Sequence, residues 1–210
     1  RLPNKNILSL GSIPLIVHSI LYAQKNSAII DEIYVSTDDE TIKNIALQYG
    51  AKVIDRPKVL SGEFEPTVTA IQHVLETIDS EVENVIVLQP TSPLRPKNLI
   101  KDCVEKFCSL GSDSLFTVSR NSQKLGKIIK GQFLPFNYEI GQRSQDLEPL
   151  YFENGLLYIT KAKCIKEGNI ISENAFPYEV NHVFATIDID TQEDFDYAEY
   201  LYKKYLIPNL

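Results

Sequence analysis

The sequence contains no methionine, few cysteines and histidines, and no apolar run long enough to cross a bilayer. Its three cysteines, Cys103, Cys108 and Cys164, show no CxxC spacing, which argues against a disulfide framework and against a zinc site. The three histidines stand alone, without a second ligand at metal spacing. These absences predict buried free thiols and no membrane partner, and the lack of an export leader predicts a cytoplasmic location.

Positive charge is also scarce, because the formal net charge is -7 and the isoelectric point is near 5.1. Domains that coat nucleic acid usually carry a basic face, so the composition argues against nucleic acid as a partner. A small anionic substrate is compatible with it, since such a substrate needs only a local basic cluster. The length of 210 residues, with 43% hydrophobic and 23% charged residues, predicts one compact domain over residues 1–210.

Apolar runs with the length of strands alternate along the chain with segments of helical period. The predicted strands are residues 33–37, 51–54, 85–88, 115–118, 156–159 and 184–189. The predicted helices begin near residues 12, 38, 67 and 96, and a last helix runs through residues 195–205. Because such alternation gives a parallel sheet covered by helices, we predict an α/β fold, three-layer and Rossmann-like, with a mostly parallel sheet.

Between residues 120 and 150 the alternation breaks, and the chain becomes rich in Gly, Gln, Asn and Pro. We predict an excursion from the sheet over residues 120–152, containing a hairpin. Its apolar side chains include Phe133, Leu134, Phe136 and Tyr138. Such a segment could not bury them against its own sheet alone, so we expect it to form a dimer contact and to lend residues to the partner's site.

Polar side chains follow the predicted strands, at the edge where an open parallel sheet binds ligands. They are Ser36, Thr37 and Asp38, then Arg56, then Gln89, Thr91, Ser92 and Arg95, and finally Asp188 and Asp190. Asp38 and the next residue, Asp39, are ordinary helix-start residues. Arg56, taken alone, is better explained as a surface charge than as an anion contact. We expect Arg95 to support its turn by hydrogen bonds to nearby carbonyls or a carboxylate, and not to touch a substrate.

Asp188 and Asp190 stand two residues apart at the end of the last predicted strand, so they lie on one face of it. Two neighbouring carboxylates that face inward are costly unless a cation sits between them, and hard oxygen ligands suit Mg²⁺. Asp190 has a second explanation of about equal weight, as the cap of the last helix, with Thr191 and Asp194 forming a capping box. The sequence alone leaves both explanations open.

Seven short blocks follow one another over nearly the whole chain. They are RLPNKN at 1–6, VSTDDE at 35–40, RP at 56–57, QPTSPLR at 89–95, QRSQDL at 142–147, ENG at 153–155 and DIDT at 188–191. In this order they resemble the acylneuraminate cytidylyltransferase family, the CMP-sialic acid synthetases and their close relatives. Each block alone is weak, whereas their order and spacing are strong, and the QPTSPLR block is the most specific.

The resemblance implies a nucleotidyltransferase that joins CMP from CTP to the anomeric hydroxyl of a nonulosonic acid, a sialic-acid-type sugar, and releases pyrophosphate. It also implies a homodimer. The implied nucleotide-binding residues are Lys5, Asn6, Arg56, Thr67 and Gln89. The implied sugar-binding residues are Gln89, Arg143, Gln145 and Asn154, of which Arg143 is the candidate for the sugar carboxylate. The implied catalytic residues are Lys5, Asp188 and Asp190, and the two aspartates would hold Mg²⁺.

The family's first strand and the Gly-Ser-Lys part of its nucleotide loop have no counterpart here, so we expect both to precede residue 1. Ser144 stands where relatives often carry a second basic residue after the one matching Arg143, which leaves the exact sugar acid open. Two alternatives also stay open. One is a synthetase of the CMP-Kdo type, which uses an eight-carbon acid, and the other is a nucleotide-binding module without catalysis.

Overall fold

The computed structural model describes residues 2–62 and 64–206, and Arg1 of the first block lies outside them. The helices are α1 (Leu15–Gln24), α2 (Glu40–Gln48), α3 (Thr67–Thr77), α4 (Leu99–Leu110), α5 (Ala162–Lys166) and α6 (Gln192–Tyr205). The strands are β1 (Ser9–Leu10), β2 (Ile13–Pro14), β3 (Tyr34–Thr37), β4 (Lys52–Asp55), β5 (Asn84–Val87), β6 (Ser114–Asn121), β7 (Gly126–Ile129), β8 (Gln132–Pro135), β9 (Leu150–Lys161) and β10 (Phe176–Glu179).

The central sheet has four strands in the order β10, β6, β9, β5. Strand β10 is parallel to β6, while β9 is antiparallel to both β6 and β5. Strands β5, β6 and β10 therefore share one direction, and a separate pair, β3 and β4, is also parallel. The predicted α/β fold with a mostly parallel sheet is confirmed, with β9 as the reversed strand.

Local sequence signals fix the ends of several helices. The Asp39 carboxylate accepts a hydrogen bond from the backbone N–H of Ile42 at 2.9 Å and so caps α2. Gly111 ends α4 at φ +62°, a conformation that glycine adopts without steric cost. Helix α1, in contrast, begins at Leu15 after Pro14, which is later than the start predicted near residue 12, and Ser12 lies outside it at φ +75°.

The predicted strand at residues 184–189 is also wrong. Its first half is a 3₁₀ turn, Val183–Thr186, and the segment beyond it is extended without belonging to the sheet. Ile187 and Ile189 are buried in the cluster that joins α6 to Leu10 and Leu15, so their apolar alternation reflects packing and not strand pairing. The position beside β6 is taken by β10, which the sequence analysis did not identify.

The excursion contains the predicted hairpin, formed by the antiparallel strands β7 and β8. Large apolar side chains lie open on and beside it: Ile128 is 78% exposed, Phe136 66% and Ile140 86%. The hairpin forms a sheet of its own and does not join the central sheet. This surface is therefore apolar without being covered by the rest of the chain.

The cysteines are free, as predicted, but only two of them are buried. Burial raises the pKa of the Cys103 thiol to about 12, which makes it inert at neutral pH. Cys108 is exposed on α4, so the prediction that all three are buried is wrong. Among the helices of the described residues, none combines the length and apolar character needed to span a bilayer.

Candidate active site

A cleft of about 370 Å³ opens beside the carboxyl end of β5. Its walls come from the start of α3, from β5 and β9, and from the loop after α5. The lining residues are Pro66, Thr67, Val68, Val87, Gln89, Glu153, Tyr158, Gly168, Ile170 and Ile171. Thr67 and Gln89, both predicted to bind nucleotide, thus lie in one cleft beyond the end of a strand, where open α/β sheets bind their ligands.

Two cleft residues, Glu153 and Tyr158, are missing from the site predicted by sequence. The Tyr158 hydroxyl donates a hydrogen bond to Glu153 Oε2 at 3.3 Å. Burial, together with the negative charges of Glu153 and Asp188, raises the pKa of Tyr158 to about 12. Tyr158 therefore remains a proton donor at neutral pH. It lies within an apolar run, and only the pairing of β9 beside β5, with Tyr158 opposite Val87, brings it to the cleft.

Lys5 and Asp190, which the sequence separates by almost the whole chain, are in direct contact. The Lys5 ammonium donates to Asp190 Oδ1 at 2.5 Å and to the carbonyl oxygen of Ile189 at 2.9 Å. The backbone N–H of Leu2 donates to the Asp190 carbonyl at 2.7 Å. A second, smaller pocket of about 160 Å³ borders this contact, lined in part by Lys5 and Asn6. Two of the predicted catalytic residues thus form one charged pair.

Asp188 and Asp190 are both exposed, and they alternate with the buried Ile187 and Ile189. The two carboxylates therefore lie on the same side of this segment, as predicted, but the inward position predicted for Asp188 is wrong. The segment buries its isoleucines instead, because these carry the apolar area that packs against α6. Asp188 still lies close enough to Tyr158 for its charge to raise the pKa of the phenol.

The cap of α6 is Thr191, and its partner is Asp194, so the predicted capping box is confirmed. The Asp194 carboxylate accepts hydrogen bonds from the backbone N–H groups of Asp190 and Thr191, at 3.1 and 2.8 Å. These bonds lower the pKa of Asp194. The Asp190 side chain takes no part in the cap, which removes the helix-cap explanation for that residue.

Arg56 lies at the carboxyl ends of β3 and β4, where its backbone N–H donates to the Thr37 carbonyl at 2.9 Å. One guanidinium nitrogen, Nη2, is 3.7 Å from Asp38 Oδ1. Its Nε is buried and, like the buried hydroxyl oxygen of Ser36, has no hydrogen-bond partner among the described residues. Buried polar atoms without partners are costly, and a bound ligand is one way to satisfy them. The arrangement favours the anion-contact explanation of Arg56 over a free surface charge.

Arg95 occupies the position expected of a supporting residue. Its guanidinium is buried and donates to three oxygens: the carbonyls of Leu156 at 2.7 Å and Gln89 at 2.8 Å, and the Ser19 hydroxyl at 3.0 Å. Burial lowers the pKa of Arg95 to about 10, so the side chain stays charged at neutral pH. The predicted hydrogen bonds to nearby carbonyls are confirmed, and Arg95 is absent from the lining of the cleft.

The predicted sugar contact through Asn154 does not agree with its surroundings. Asn154 is 5% exposed, and its amide is used inside the protein. The amide nitrogen donates to Ser119 Oγ at 3.0 Å, while Oδ1 accepts from Thr117 Oγ1 at 2.6 Å and from the N–H of Leu156 at 3.2 Å. With these atoms occupied, Asn154 acts within the fold, and the sequence block that contains it contributes Glu153 to the cleft instead.

Arg143 and Gln145 lie at a 3₁₀ turn of the excursion and do not line the cleft of their own chain. The Arg143 guanidinium makes a two-pronged contact with the Asp146 carboxylate, with Nε at 2.7 Å and Nη2 at 3.1 Å from its oxygens. The side chain is 70% exposed. In the structure Arg143 is therefore paired with a carboxylate of its own chain.

A cleft of this kind, at the carboxyl end of a strand in a mostly parallel sheet, lies where open α/β proteins bind their ligands. Comparison with protein families gives the particular group: a family model described as cytidylyltransferase matches residues 1–208. The chain belongs to this family and is a nucleotidyltransferase.

Two relatives illustrate the range within the family. The chain is 34% identical over 212 residues to the pseudaminic acid cytidylyltransferase of Campylobacter jejuni subsp. jejuni serotype O:23/36, covering 97% of this chain and 91% of that protein. It is 32% identical over 202 residues to the N-acylneuraminate cytidylyltransferase of Streptococcus agalactiae serotype III, covering 92% of this chain and 48% of that protein. The resemblance stated from the sequence blocks is thereby confirmed.

Among solved structures, the fold is similar to that of a CMP:2-keto-3-deoxy-manno-octonic acid synthetase complexed with CTP. The TM-score is 0.72, and the match covers 98% of this chain and 94% of that chain at 16% sequence identity. At this identity the likeness concerns the fold alone. It agrees with the Rossmann-like architecture predicted from the alternation of strands and helices.

Proposed function

We propose that this enzyme transfers CMP from CTP to the anomeric hydroxyl of a nonulosonic acid, giving the CMP-sugar and pyrophosphate. The observation that carries the proposal is the cleft that joins Thr67 and Gln89, whose Tyr158 feels the charge of Asp188, together with the ion pair of Lys5 and Asp190. The names of the two relatives support a nine-carbon acid over the eight-carbon acid of the Kdo alternative. A cytoplasmic location fits this proposal, because CTP is a cytoplasmic metabolite.

In the proposed reaction, the hydroxyl oxygen attacks the α-phosphorus of CTP, and the bond to the bridging oxygen of pyrophosphate breaks. Both reactants are anions, so positive charge has to offset their repulsion. Lys5 supplies one such charge, and its ammonium forms an ion pair with the Asp190 carboxylate. Arg56, with a buried Nε that lacks a partner among the described residues, supplies a second charge on the nucleotide side.

We propose that Asp188 and Asp190 hold Mg²⁺. The residues fit this ion because both are exposed carboxylates on one side of the segment, and one of them already faces a cation in Lys5. Within the described residues no cluster of three or more ligating side chains exists, so phosphate and water oxygens would complete the coordination. When bound, the ion would neutralise phosphate oxygens as charge develops in the transition state.

We propose that the enzyme is a homodimer and that each chain contributes residues to the sugar-binding part of the partner's site. Arg143 and Gln145 lie on the exposed excursion, whose apolar side chains are uncovered in the single chain. Packing of two excursions would cover these side chains and bring Arg143 of one chain towards the cleft of the other. Arg143 would then exchange its contact with Asp146 for a contact with the carboxylate of the sugar acid.

The test is pyrophosphate release by the full-length protein with CTP and a panel of acids: N-acetylneuraminic, legionaminic, pseudaminic and Kdo. We expect release with one or more nonulosonic acids and little or none with Kdo or without acid. A preference for Kdo would favour the eight-carbon alternative. CTP binding without release, with every acid of the panel, would favour the non-catalytic module.

A further inference from the structure

Strand β9 is interrupted next to the cleft by a long bulge. Phe116 pairs with Tyr158, yet Val118 pairs with Glu153, so the four residues 154–157 stand opposite Thr117 alone. We call these four residues the β9 bulge. Bulges re-aim the side chains beside them and are found next to active sites, where a regular strand cannot supply the geometry. This one separates the two cleft residues of β9, Glu153 and Tyr158.

Buried hydrogen bonds hold the β9 bulge from within. Thr117 Oγ1 donates to Asn154 Oδ1 at 2.6 Å and accepts from the N–H of Leu157 at 3.1 Å. The Asn154 amide also bonds Ser119 and the N–H of Leu156. These groups are buried, so each bond lost would leave a polar atom without a partner. The bulge is therefore a fixed feature of the backbone.

Arg95 ties the β9 bulge to the turn that carries Gln89. The same guanidinium donates to the Leu156 carbonyl in the bulge and to the Gln89 carbonyl in the turn, at 2.7 and 2.8 Å. A single planar group thus bonds the backbones of both segments. Neither bond involves the Gln89 side chain, so the position of that side chain depends on its other neighbours.

Gly155 is the neighbour that limits the Gln89 side chain. Its φ of +69° suits glycine, and a Cβ built on it would lie 3.0 Å from Gln89 Oε1 and 3.2 Å from Ser92 Oγ. Contacts this short require the neighbour to yield by a few tenths of an ångström. Ser92 Oγ is buried and has no hydrogen-bond partner among the described residues. Together, Ser92 Oγ and the Gln89 amide leave little room for a methyl group at Gly155.

We propose that the β9 bulge sets the position of the Gln89 side chain in the cleft, with Gly155 as the positioning residue, because the absence of a Cβ there leaves room for the Gln89 amide. The inference rests on the proposed function only in so far as Gln89 contacts the substrates. It assigns Gly155 a role in catalysis without direct contact to substrate, and it explains why glycine is needed at a point where the strand is already irregular.

The test compares Gly155→Ala with Gly111→Ala. Gly111 has a similar φ of +62°, but a Cβ there would meet nothing within 4 Å. Both variants should lower Tm, because both place alanine in the left-handed region, and Gly155→Ala should lower it more, because only its Cβ meets close neighbours. Only Gly155→Ala should lower kcat/KM for the sugar acid, by about tenfold, since misplacing a substrate-positioning group by a fraction of an ångström is costly.

A double-variant cycle shows whether the effect passes through Gln89. In a Gln89→Ala background the new methyl group no longer meets Oε1, so Gly155→Ala should cause no further loss of kcat/KM. The proposal is overturned if Gly155→Ala lowers kcat/KM no more than Gly111→Ala does. It is also overturned if the loss of kcat/KM caused by Gly155→Ala persists in full in the Gln89→Ala background.

A readout independent of turnover separates this inference from the proposed function. The side-chain amide signal of Gln89 in an NMR spectrum, assigned by its disappearance in Gln89→Ala, should shift in Gly155→Ala and stay in place in Gly111→Ala. This holds even if the wild-type protein transfers no CMP. Thr117→Val serves as a second variant should Gly155→Ala fail to fold, because it removes the hydrogen bonds that hold the bulge without adding a side chain at Gly155. An unmoved Gln89 signal in the folded variants would contradict the proposal.

Discussion

Replacing Arg95 by alanine should destabilise the protein strongly while leaving CTP recognition almost intact. The guanidinium makes three buried hydrogen bonds, to Leu156, Gln89 and Ser19. Hydrogen bonds from a charged group contribute about 1.5–3 kcal/mol each, but here they share one desolvation penalty, which lowers their sum. We therefore expect a loss of about 3 kcal/mol in the free energy of unfolding. At about 2–4 °C per kcal/mol for a chain of this size, Tm should fall by about 6–12 °C.

The measurement is urea unfolding together with steady-state kinetics, and Lys97→Ala is the matched control. Lys97 carries the same charge two residues further along the chain and is exposed, so its removal should change the free energy of unfolding by less than about 0.5 kcal/mol. The KM for CTP should stay within about twofold of the wild type for Arg95→Ala, since Arg95 does not line the cleft. A large rise in that KM with an unchanged Tm would refute the supporting role.

Three further predictions concern other parts of the molecule. Asp188→Asn and Asp190→Asn should each lower kcat by about 10²-fold or more and abolish a Mg²⁺-dependent rise in Tm. The helix content of Asp190→Asn should stay normal, because Thr191 is the cap of α6. Full activity of either variant in Mg²⁺ would exclude the replaced aspartate as a ligand. Ile128→Asp on the exposed hairpin should shift light scattering from dimer to monomer and reduce activity, and a fully active monomer would contradict the shared site. The pKa of Asp194 is lowered in the folded state, so its ionised carboxylate stabilises the fold above the unfolded pKa of about 4, and this contribution is lost as pH falls through the lower folded pKa. Asp194→Asn should therefore lose less stability than the wild type between pH 5 and 2. Parallel profiles of stability against pH would count against this.

Strong periodic segments could be predicted from the sequence, because their local signals and their packing agree. Helix α2, for example, has its capping aspartate Asp39, an apolar face and Gly50 at its end. The segment at 184–189 could not be predicted correctly, since alternation of buried and exposed residues is the same for a paired strand and for an extended segment packed in a core. The Ile187 and Ile189 side chains satisfy the pattern without a neighbouring strand.

The candidate site divides in the same way. Gln89, Lys5 and Asp190 lie in sequence blocks, Thr67 is implied by the resemblance that the blocks support, and the fold brings these residues together in pairs. Tyr158 could not, because it reads as one more apolar residue of a strand until β9 is placed beside β5. Such pairings depend on contacts between distant parts of the chain, which local sequence patterns do not encode.

The proposed enzyme transfers one CMP group from CTP to the anomeric hydroxyl of a nonulosonic acid. The most direct measurement is ³¹P NMR of the reaction of the full-length protein with CTP, Mg²⁺ and the preferred acid. We expect one new phosphodiester signal from the CMP-sugar and a signal from pyrophosphate, with the two products formed in equal amounts. A new pair of coupled diphosphate signals, or CTP that persists unchanged with every acid, would contradict it.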